Sequence, residues 1–119
     1  MRKAAGEFRK NNLRIVVFDA WRPERAQALL REFCDDDKYV SARPRHTAGN
    51  IIDMSLADSN GAYLDMGTDY DDFSEKAHSN DGLVVSWQKD NRQLLRDVML
   101  RHGFVIYPYE WWDFEYKKL

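Results

Sequence analysis

One histidine and three carboxylates have the residue types and the spacing that a metal site requires. His46 and Asp53 stand seven residues apart, and Glu110 and Asp113 form a second acidic pair far along the chain. Zinc in hydrolases is usually held by three nitrogen or oxygen donors and keeps one position for water. Gly49 lets the backbone bend, so that His46 and Asp53 can converge. One such pair is weak support for a metal, so the case depends on the residues around it.

Three further features could take part in hydrolysis. Arg22 lies at the expected junction of a strand and a helix, where a guanidinium can bind a carboxylate or a developing oxyanion; a surface ion pair is the alternative. Glu110 precedes two tryptophans, and rings that shield its carboxyl group from water would raise its pKa and favour a role as general acid or base. The alternative is an acidic residue on an edge strand. Asp71 belongs to an acidic stretch beside Gly67, which is equally typical of a solvated loop.

The elements that must position these residues follow from the hydrophobic pattern. Apolar residues at helical spacing predict helices, and short β-branched runs predict strands. The expected helices are 1–11, 24–33 and 87–102, and the expected strands are 13–18 (buried), 51–57, 62–66, 104–107 and 111–116, with a tight turn at 58–61, a loop at 35–45 and a long polar loop at 67–82. This order predicts an α+β domain with a small antiparallel sheet and helices packed on it.

Length and composition bound the classes of function. The 119 residues are expected to form a single domain, 1–119, and the net charge of −2 without a long basic run argues against a nucleic-acid partner. No apolar stretch approaches the roughly 20 residues that span a bilayer. The charged start is unlike a signal peptide, so we expect a cytoplasmic protein, or a periplasmic one if the sequence is truncated. The single cysteine, Cys34, is expected to be buried in a helix rather than nucleophilic.

Short motifs follow one another between about Val16 and Phe114. They are Asp19-x-x-Arg22-Pro23, His46-x-x-Gly49-x-x-x-Asp53, Asp65-Met66-Gly67-Thr68 with Tyr70-Asp71, Ala77-His78-Ser79-Asn80, and Glu110-Trp111-Trp112. Together they resemble the zinc D-alanyl-D-alanine dipeptidases of the vancomycin-resistance type, in the wider D,D-peptidase and hedgehog-like family. The resemblance covers most of the chain and implies that family's α+β fold.

The resemblance implies a metal centre with an unusual donor. His46 and Asp53 are similar to two of the family's zinc ligands, but the third ligand, a histidine in the family, is Asp113 here. Two carboxylates make the site more anionic and would make a bound water less acidic. We therefore expect one zinc ion, or manganese or another divalent metal with this donor set. His78 is the spare nitrogen donor if Asp113 does not bind.

The resemblance also implies the groups that would act on the substrate, a small peptide with D-amino acids. Glu110 is similar to the general base that activates the metal's water. Arg22 is similar to the residue that stabilises the tetrahedral oxyanion, and Asp71 to the anchor for the substrate's free amino group. The implied activity is metal-dependent hydrolysis of a D-Ala-D-Ala-type dipeptide.

Departures from the family keep other functions open. Besides Asp113, Pro44 stands where the family usually has serine, and the chain is shorter than its relatives, so part of the substrate enclosure is expected to be missing. The alternative is a catalytically weak or inactive relative that binds a D-amino-acid peptide or a protein partner. A third hypothesis, a small interaction domain, requires Trp111 and Trp112 to be exposed as a hydrophobic surface.

Overall fold

The computed structural model describes residues 1–19 and 50–117, in which two helices pack on one four-stranded antiparallel sheet. The elements in chain order are α1 (Arg2–Lys10), β1 (Leu13–Asp19), β2 (Ile51–Asp58), a short 3-10 helix (Glu75–Ala77), α2 (Ser86–Arg101), β3 (Phe104–Ile106) and β4 (Asp113–Tyr116). The strand order is β1-β2-β4-β3. The predicted α+β class is therefore confirmed. The predicted helix 24–33, the loop 35–45 and Cys34 lie outside the described residues.

Each helix buries one apolar face against the sheet. α1 lies against β1, α2 lies against β3, and the two helices contact each other. Side chains three and four positions apart share a helix face, so this packing explains the spacing of the buried residues. The core combines Ala4 and Phe8 of α1, Leu95, Val98 and Met99 of α2, and Met54, Leu56, Phe104 and Phe114 of the sheet. In the described helices, none is long and apolar enough to cross a membrane.

α2 is followed, after its capping residue His102, by a glycine in a left-handed conformation. Gly103 has φ +90°, and its amide donates to the carbonyl of Leu100 at 3.3 Å. Glycine adopts this left-handed conformation without the steric penalty of a Cβ. His102 caps the helix, and its Nε2 lies 3.0 Å from Glu7 of α1, which Arg101 also contacts. His102 therefore joins the two helices.

The predicted buried strand 13–18 is present, but most of it is not buried. β1 lies at an edge of the described sheet, and Val17 is 53 % exposed. A run of β-branched residues suits both edge and central strands, so the pattern could not distinguish them.

The predicted return strand 62–66 is wrong. In place of a ladder, Ala57 and Tyr63 form one isolated bridge. The turn before it is present, because Oδ1 of Asp58 accepts hydrogen bonds from the amides of Asn60 and Ala62 at 2.9 and 3.0 Å. An aspartate side chain that bonds the following amides offers the backbone an alternative to strand pairing.

Candidate active site

Asp53 and Asp113 face each other on neighbouring strands. They are partners in the register of β2 and β4, and the amide of Met54 donates to the carbonyl of Trp112 at 2.9 Å. The adjacent pair, Asp53 and Asp113, is therefore of the non-hydrogen-bonded kind, in which Cα atoms lie about 4.5 Å apart and side chains approach most closely. The two side chains are 2 % and 1 % exposed. Register and burial thus bring two of the predicted ligands to one face of the sheet.

Glu110 adds a third buried carboxyl group to this pair. It lies in the turn before β4, is 5 % exposed, and its side chain hydrogen-bonds that of Asp113. Burial, followed by the negative charges of Asp113, Asp53 and Asp71, raises the pKa of Glu110 to about 10. Carboxylates that share a buried site cannot all ionise without a compensating cation. In the absence of one, Glu110 holds a proton at neutral pH.

Asp19, the first residue of the Asp19-x-x-Arg22-Pro23 motif, lies beside Asp53. It ends β1 and pairs with Asp53, after a register shift between Val17 and Asp19. Such irregularities re-aim the chain at the end of a strand. Asp19 is therefore a cross-strand neighbour of Asp53.

Ser79 fastens the turn that carries Glu110. Its hydroxyl lies 2.6 Å from the carbonyl oxygen of Tyr107 and 3.0 Å from that of Glu110, and can donate its proton to either. The amide of Trp111 donates to the carbonyl of Ala77 at 3.0 Å. The motif around Ser79 therefore positions the acid rather than acting on substrate, a role that the sequence did not indicate.

A buried arginine holds the long loop that covers the site. Arg92 of α2 is 1 % exposed, and its guanidinium lies 5.9 Å from the centroid of the Trp111 ring. Burial lowers the pKa of Arg92, and the bonded carboxylate opposes that effect. At 2.6 to 3.2 Å, its donors bond the carbonyls of Met66, Lys76 and His78 and the carboxylate of Asp81. One side chain thus fixes widely spaced points of the loop.

The loop places Tyr70 against the carboxylates. Its hydroxyl donates to Oδ2 of Asp53 at 2.9 Å. The ring stacks on Phe18 with centroids 4.4 Å apart and meets Trp112 edge-on at 5.4 Å. Burial and the neighbouring carboxylates raise the pKa of Tyr70, which keeps the phenol protonated as a donor. The sequence offered Tyr70 only as part of a motif, with no role for its hydroxyl.

Asp71 lies at the exposed rim of the site. Its φ of +62° is uncommon for a residue other than glycine, and such strain persists where the surrounding structure fixes it. Its charge contributes to the raised pKa of both Glu110 and Tyr70, so it lies near both groups. An exposed carboxylate in this place could bind the ammonium group of a peptide.

A cavity of about 640 Å³ lies along the loop that carries Tyr70, and Asp53, Glu110 and Asp113 are not among its lining residues. Its walls include Ser55, which shares a face of β2 with Asp53, and the aromatic residues Phe18, Tyr70 and Trp111. Small-molecule sites commonly have volumes of about 300–1,000 Å³ and apolar walls with a few polar groups. The cavity therefore has the volume of a small-molecule site, and Tyr70, which bonds Asp53, lies in its wall.

The described residues include only some of the predicted metal ligands. Arg22, Pro44 and His46 lie outside the described residues, and within 1–19 and 50–117 no three His, Cys, Asp or Glu side chains are arranged to hold a metal ion. Asp53 and Asp113 nevertheless supply buried oxygen donors, with Glu110 beside them. That excess of negative charge suits a divalent cation, which would need at least one more ligand. The ring of His78, the spare donor, packs edge-on against Tyr109 with centroids 5.2 Å apart.

Trp111 and Trp112 do not form an exposed surface. They are 4 % and 0 % exposed, and their rings meet edge-on with centroids 5.3 Å apart. The indole nitrogen of Trp111 donates to the hydroxyl of Thr68 at 2.8 Å. The observation that would have supported an interaction domain is therefore not found.

Known proteins match this chain along most of its length. A family model described as D-ala-D-ala dipeptidase matches residues 1–118. The D-alanyl-D-alanine dipeptidase of Escherichia coli (strain K12) is 39 % identical over 108 residues, which cover 88 % of this chain and 56 % of that protein. The Enterococcus faecalis protein of the same name is 31 % identical over 78 residues, 65 % of this chain and 39 % of that one. The chain thus spans about half, or less, of these relatives' lengths.

Proposed function

Since the chain belongs to the D-ala-D-ala dipeptidase family of peptidases, we propose that it hydrolyses a D-Ala-D-Ala-type dipeptide with the help of a divalent metal. The observation that carries this proposal is the buried pair Asp53 and Asp113, facing each other across β2 and β4 with Glu110 bonded to Asp113. The family is generally metal-dependent, and the relatives bear the name of this activity.

Asp53 and Asp113 would hold the metal together with His46. When bound, the metal supplies Lewis acidity, which polarises the scissile carbonyl and makes a water more acidic. Arg22 follows Asp19 by three positions in the sequence, and His46 precedes Ile51 of β2 by five.

Glu110 serves as the general base in this proposal. Without a cation it holds a proton, because burial and three carboxylates raise its pKa to about 10. Positive charge from a cation and from Arg22 lowers that pKa, which frees the carboxylate to accept a proton from water. Arg22 stabilises the oxyanion that develops on the carbonyl. Asp71 binds the substrate's ammonium group at the rim.

The first test is made on the unaltered protein. After chelation and reloading with Zn²⁺ or Mn²⁺, the loaded protein should release free D-alanine from D-Ala-D-Ala, and the chelated protein should not. L-Ala-L-Ala is the matched substrate and should be hydrolysed much more slowly. Elemental analysis should give about one metal ion per chain. A protein that retains no metal, or that is equally active after chelation, would contradict the proposal.

A catalytically weak or inactive relative that binds a D-amino-acid peptide is the second candidate. Asp113 favours it, because the resemblance places a histidine there and a second carboxylate makes the site more anionic. Metal loading without release of D-alanine, combined with measurable binding of D-Ala-D-Ala, would support this candidate over the first.

Asp113→His tests the assignment of the third ligand. An imidazole removes one of the crowded carboxylates and supplies a nitrogen donor, so the affinity for Zn²⁺ should rise by at least about tenfold, or about 1.4 kcal/mol. D-Ala-D-Ala hydrolysis should rise with it. Competition against a chromogenic chelator measures the affinity, and release of D-alanine measures the activity.

Glu115→His is the matched control for this variant. It adds an imidazole to the same strand, but opposite Ile51 rather than Asp53, and should leave zinc affinity unchanged. If Asp113→His binds zinc no better than the parent, Asp113 is not a ligand. If it binds zinc more tightly and still releases no D-alanine, the second candidate gains.

A further inference from the structure

The hydroxyl of Tyr70 takes no part in the chemistry proposed above, yet it contacts a proposed metal ligand. It donates to Oδ2 of Asp53 at 2.9 Å, and Asp53 is 2 % exposed. We propose that Tyr70 is a positioning residue that fixes the orientation of the Asp53 carboxylate and thereby sets the affinity of the site for a divalent metal. This inference rests on the proposed function, because it takes Asp53 as a ligand.

Packing on two sides of the Tyr70 ring fixes the position of its hydroxyl group. Phe18 of β1 stacks on Tyr70 with an interplanar angle of 21°, and Trp112 meets it at 73°. A ring held between these neighbours cannot turn its hydroxyl away from Asp53 without displacing a core tryptophan. The donor is therefore preorganised with respect to the carboxylate.

A preorganised donor matters because a carboxylate is free to rotate. The last torsion of an aspartate is broad and has no sharp staggered minima. A hydrogen bond to Oδ2 selects one orientation and presents the carboxylate to a cation in a defined way. Partners that orient a metal ligand typically change metal affinity by about 10- to 100-fold when they are removed.

Tyr70→Phe isolates the hydroxyl, because phenylalanine keeps the ring between Phe18 and Trp112. Affinity for Zn²⁺, measured by competition with a chromogenic chelator, is expected to fall by about 10- to 100-fold. The visible absorption bands of the Co²⁺-loaded protein should also shift, since they report ligand geometry. A role limited to folding would move neither readout, provided that thermal unfolding shows the variant to be folded at the temperature of measurement.

Tyr63→Phe is the matched control. Tyr63 lines the same cavity and also packs edge-on against Phe18, with centroids 6.2 Å apart, but it is 63 % exposed. Removing its hydroxyl should change neither zinc affinity nor the Co²⁺ spectrum. Phe18→Leu is a second test, because it loosens the stack and keeps the hydroxyl of Tyr70. The zinc affinity of Phe18→Leu should also fall, but by a smaller factor than that of Tyr70→Phe.

Unchanged zinc affinity and an unchanged Co²⁺ spectrum in both Tyr70→Phe and Phe18→Leu would overturn the inference. An equal loss in Tyr63→Phe would overturn it as well, because the effect would then not be specific to Asp53. The readout is metal binding and not turnover. A parent that binds zinc but releases no D-alanine therefore refutes the proposed function, while the affinity ratio still decides the role of Tyr70. A parent that binds no metal refutes both.

Discussion

Replacing Glu110 with glutamine should abolish dipeptide hydrolysis and, in the metal-free protein, raise the melting temperature at neutral pH. Turnover should fall by about 10²–10⁴-fold, because glutamine cannot accept a proton from water. Stability should rise because the amide can still hydrogen-bond Asp113 and, unlike the carboxyl group, need not take up a proton when the chain folds at neutral pH. A variant that gains stability as it loses activity is the signature of a residue retained for function rather than for folding.

The pH dependence gives this prediction its sign. The pKa of Glu110 is raised from its usual 4.5 to about 10 in the folded metal-free protein. Between these pH values the unfolded chain releases the proton and the folded chain keeps it. Glu110 therefore lowers the free energy of unfolding progressively as the pH rises through this window. Glutamine does not titrate, so the variant does not lose this part of its free energy of unfolding. The melting temperatures of parent and variant should therefore diverge from pH 5 to pH 9.

Thermal unfolding in the presence of a chelator measures this difference. At pH 8 the variant should melt at least about 4 °C higher, which corresponds to about 1 kcal/mol in a domain of this size. Glu115→Gln is the control, because Glu115 lies on β4 but is less buried; its pH profile and activity should match those of the parent. An unaltered pH profile in Glu110→Gln would show that the carboxyl is not held protonated.

Arg92→Ala should be among the most destabilising single substitutions in the described part of the chain. It would leave Asp81 buried without one of its two arginine partners and would remove the donors of three loop carbonyls. Breaking a buried pair of this kind costs about 3–5 kcal/mol. Arg92→Lys should also destabilise strongly, because a compact ammonium cannot reach the separate acceptors that the planar guanidinium spans. Denaturant unfolding of the metal-free protein measures both changes.

Arg96 offers the comparison for this prediction. It bonds the same carboxylate of Asp81 and the carbonyl of Ser79, both at 2.9 Å, but its side chain is 21 % exposed. Water can hydrogen-bond some of the acceptors that lose their donor when Arg96 is removed. Arg96→Ala should therefore lower the free energy of unfolding by about 1 kcal/mol. If Arg92→Ala costs no more than Arg96→Ala, burial is not what makes the Arg92 contacts important.

The sequence predicted those parts of the structure whose causes are local. Helical spacing of Leu95, Val98 and Met99 and the glycine at 103 placed α2 to within one residue at each end. Alternation along β2 is likewise local, and it puts Asp53 on the face opposite Met54. The ordered motifs then nominated Asp53, Glu110 and Asp113 as members of one site, and the structure brings these three together.

What the sequence could not predict depends on partners distant along the chain. Arg92 is a polar residue in an amphipathic helix, and only the loop carbonyls that surround it make it a buried residue. Tyr70 and Asp53 are separated by 17 positions, and no pattern indicates that a hydroxyl will reach that carboxylate. The missing strand at 62–66 has a local cause instead, because the Asp58 side chain bonds the amides of Asn60 and Ala62 and offers the backbone an alternative to strand pairing.

The register of β4 against β2 also leads us to expect a rate of folding that depends on ions. These strands are distant in sequence, and their pairing must overcome the entropy of closing a long loop before any contact stabilises it. The same step pushes Asp113 against Asp53, so electrostatic repulsion is added to the barrier at the moment when the sheet closes. A cation captured by the half-formed pair would relieve that repulsion. If the carboxylates hold a metal as proposed, metal binding and the speed at which the chain reaches its native topology would be coupled through one pair of residues.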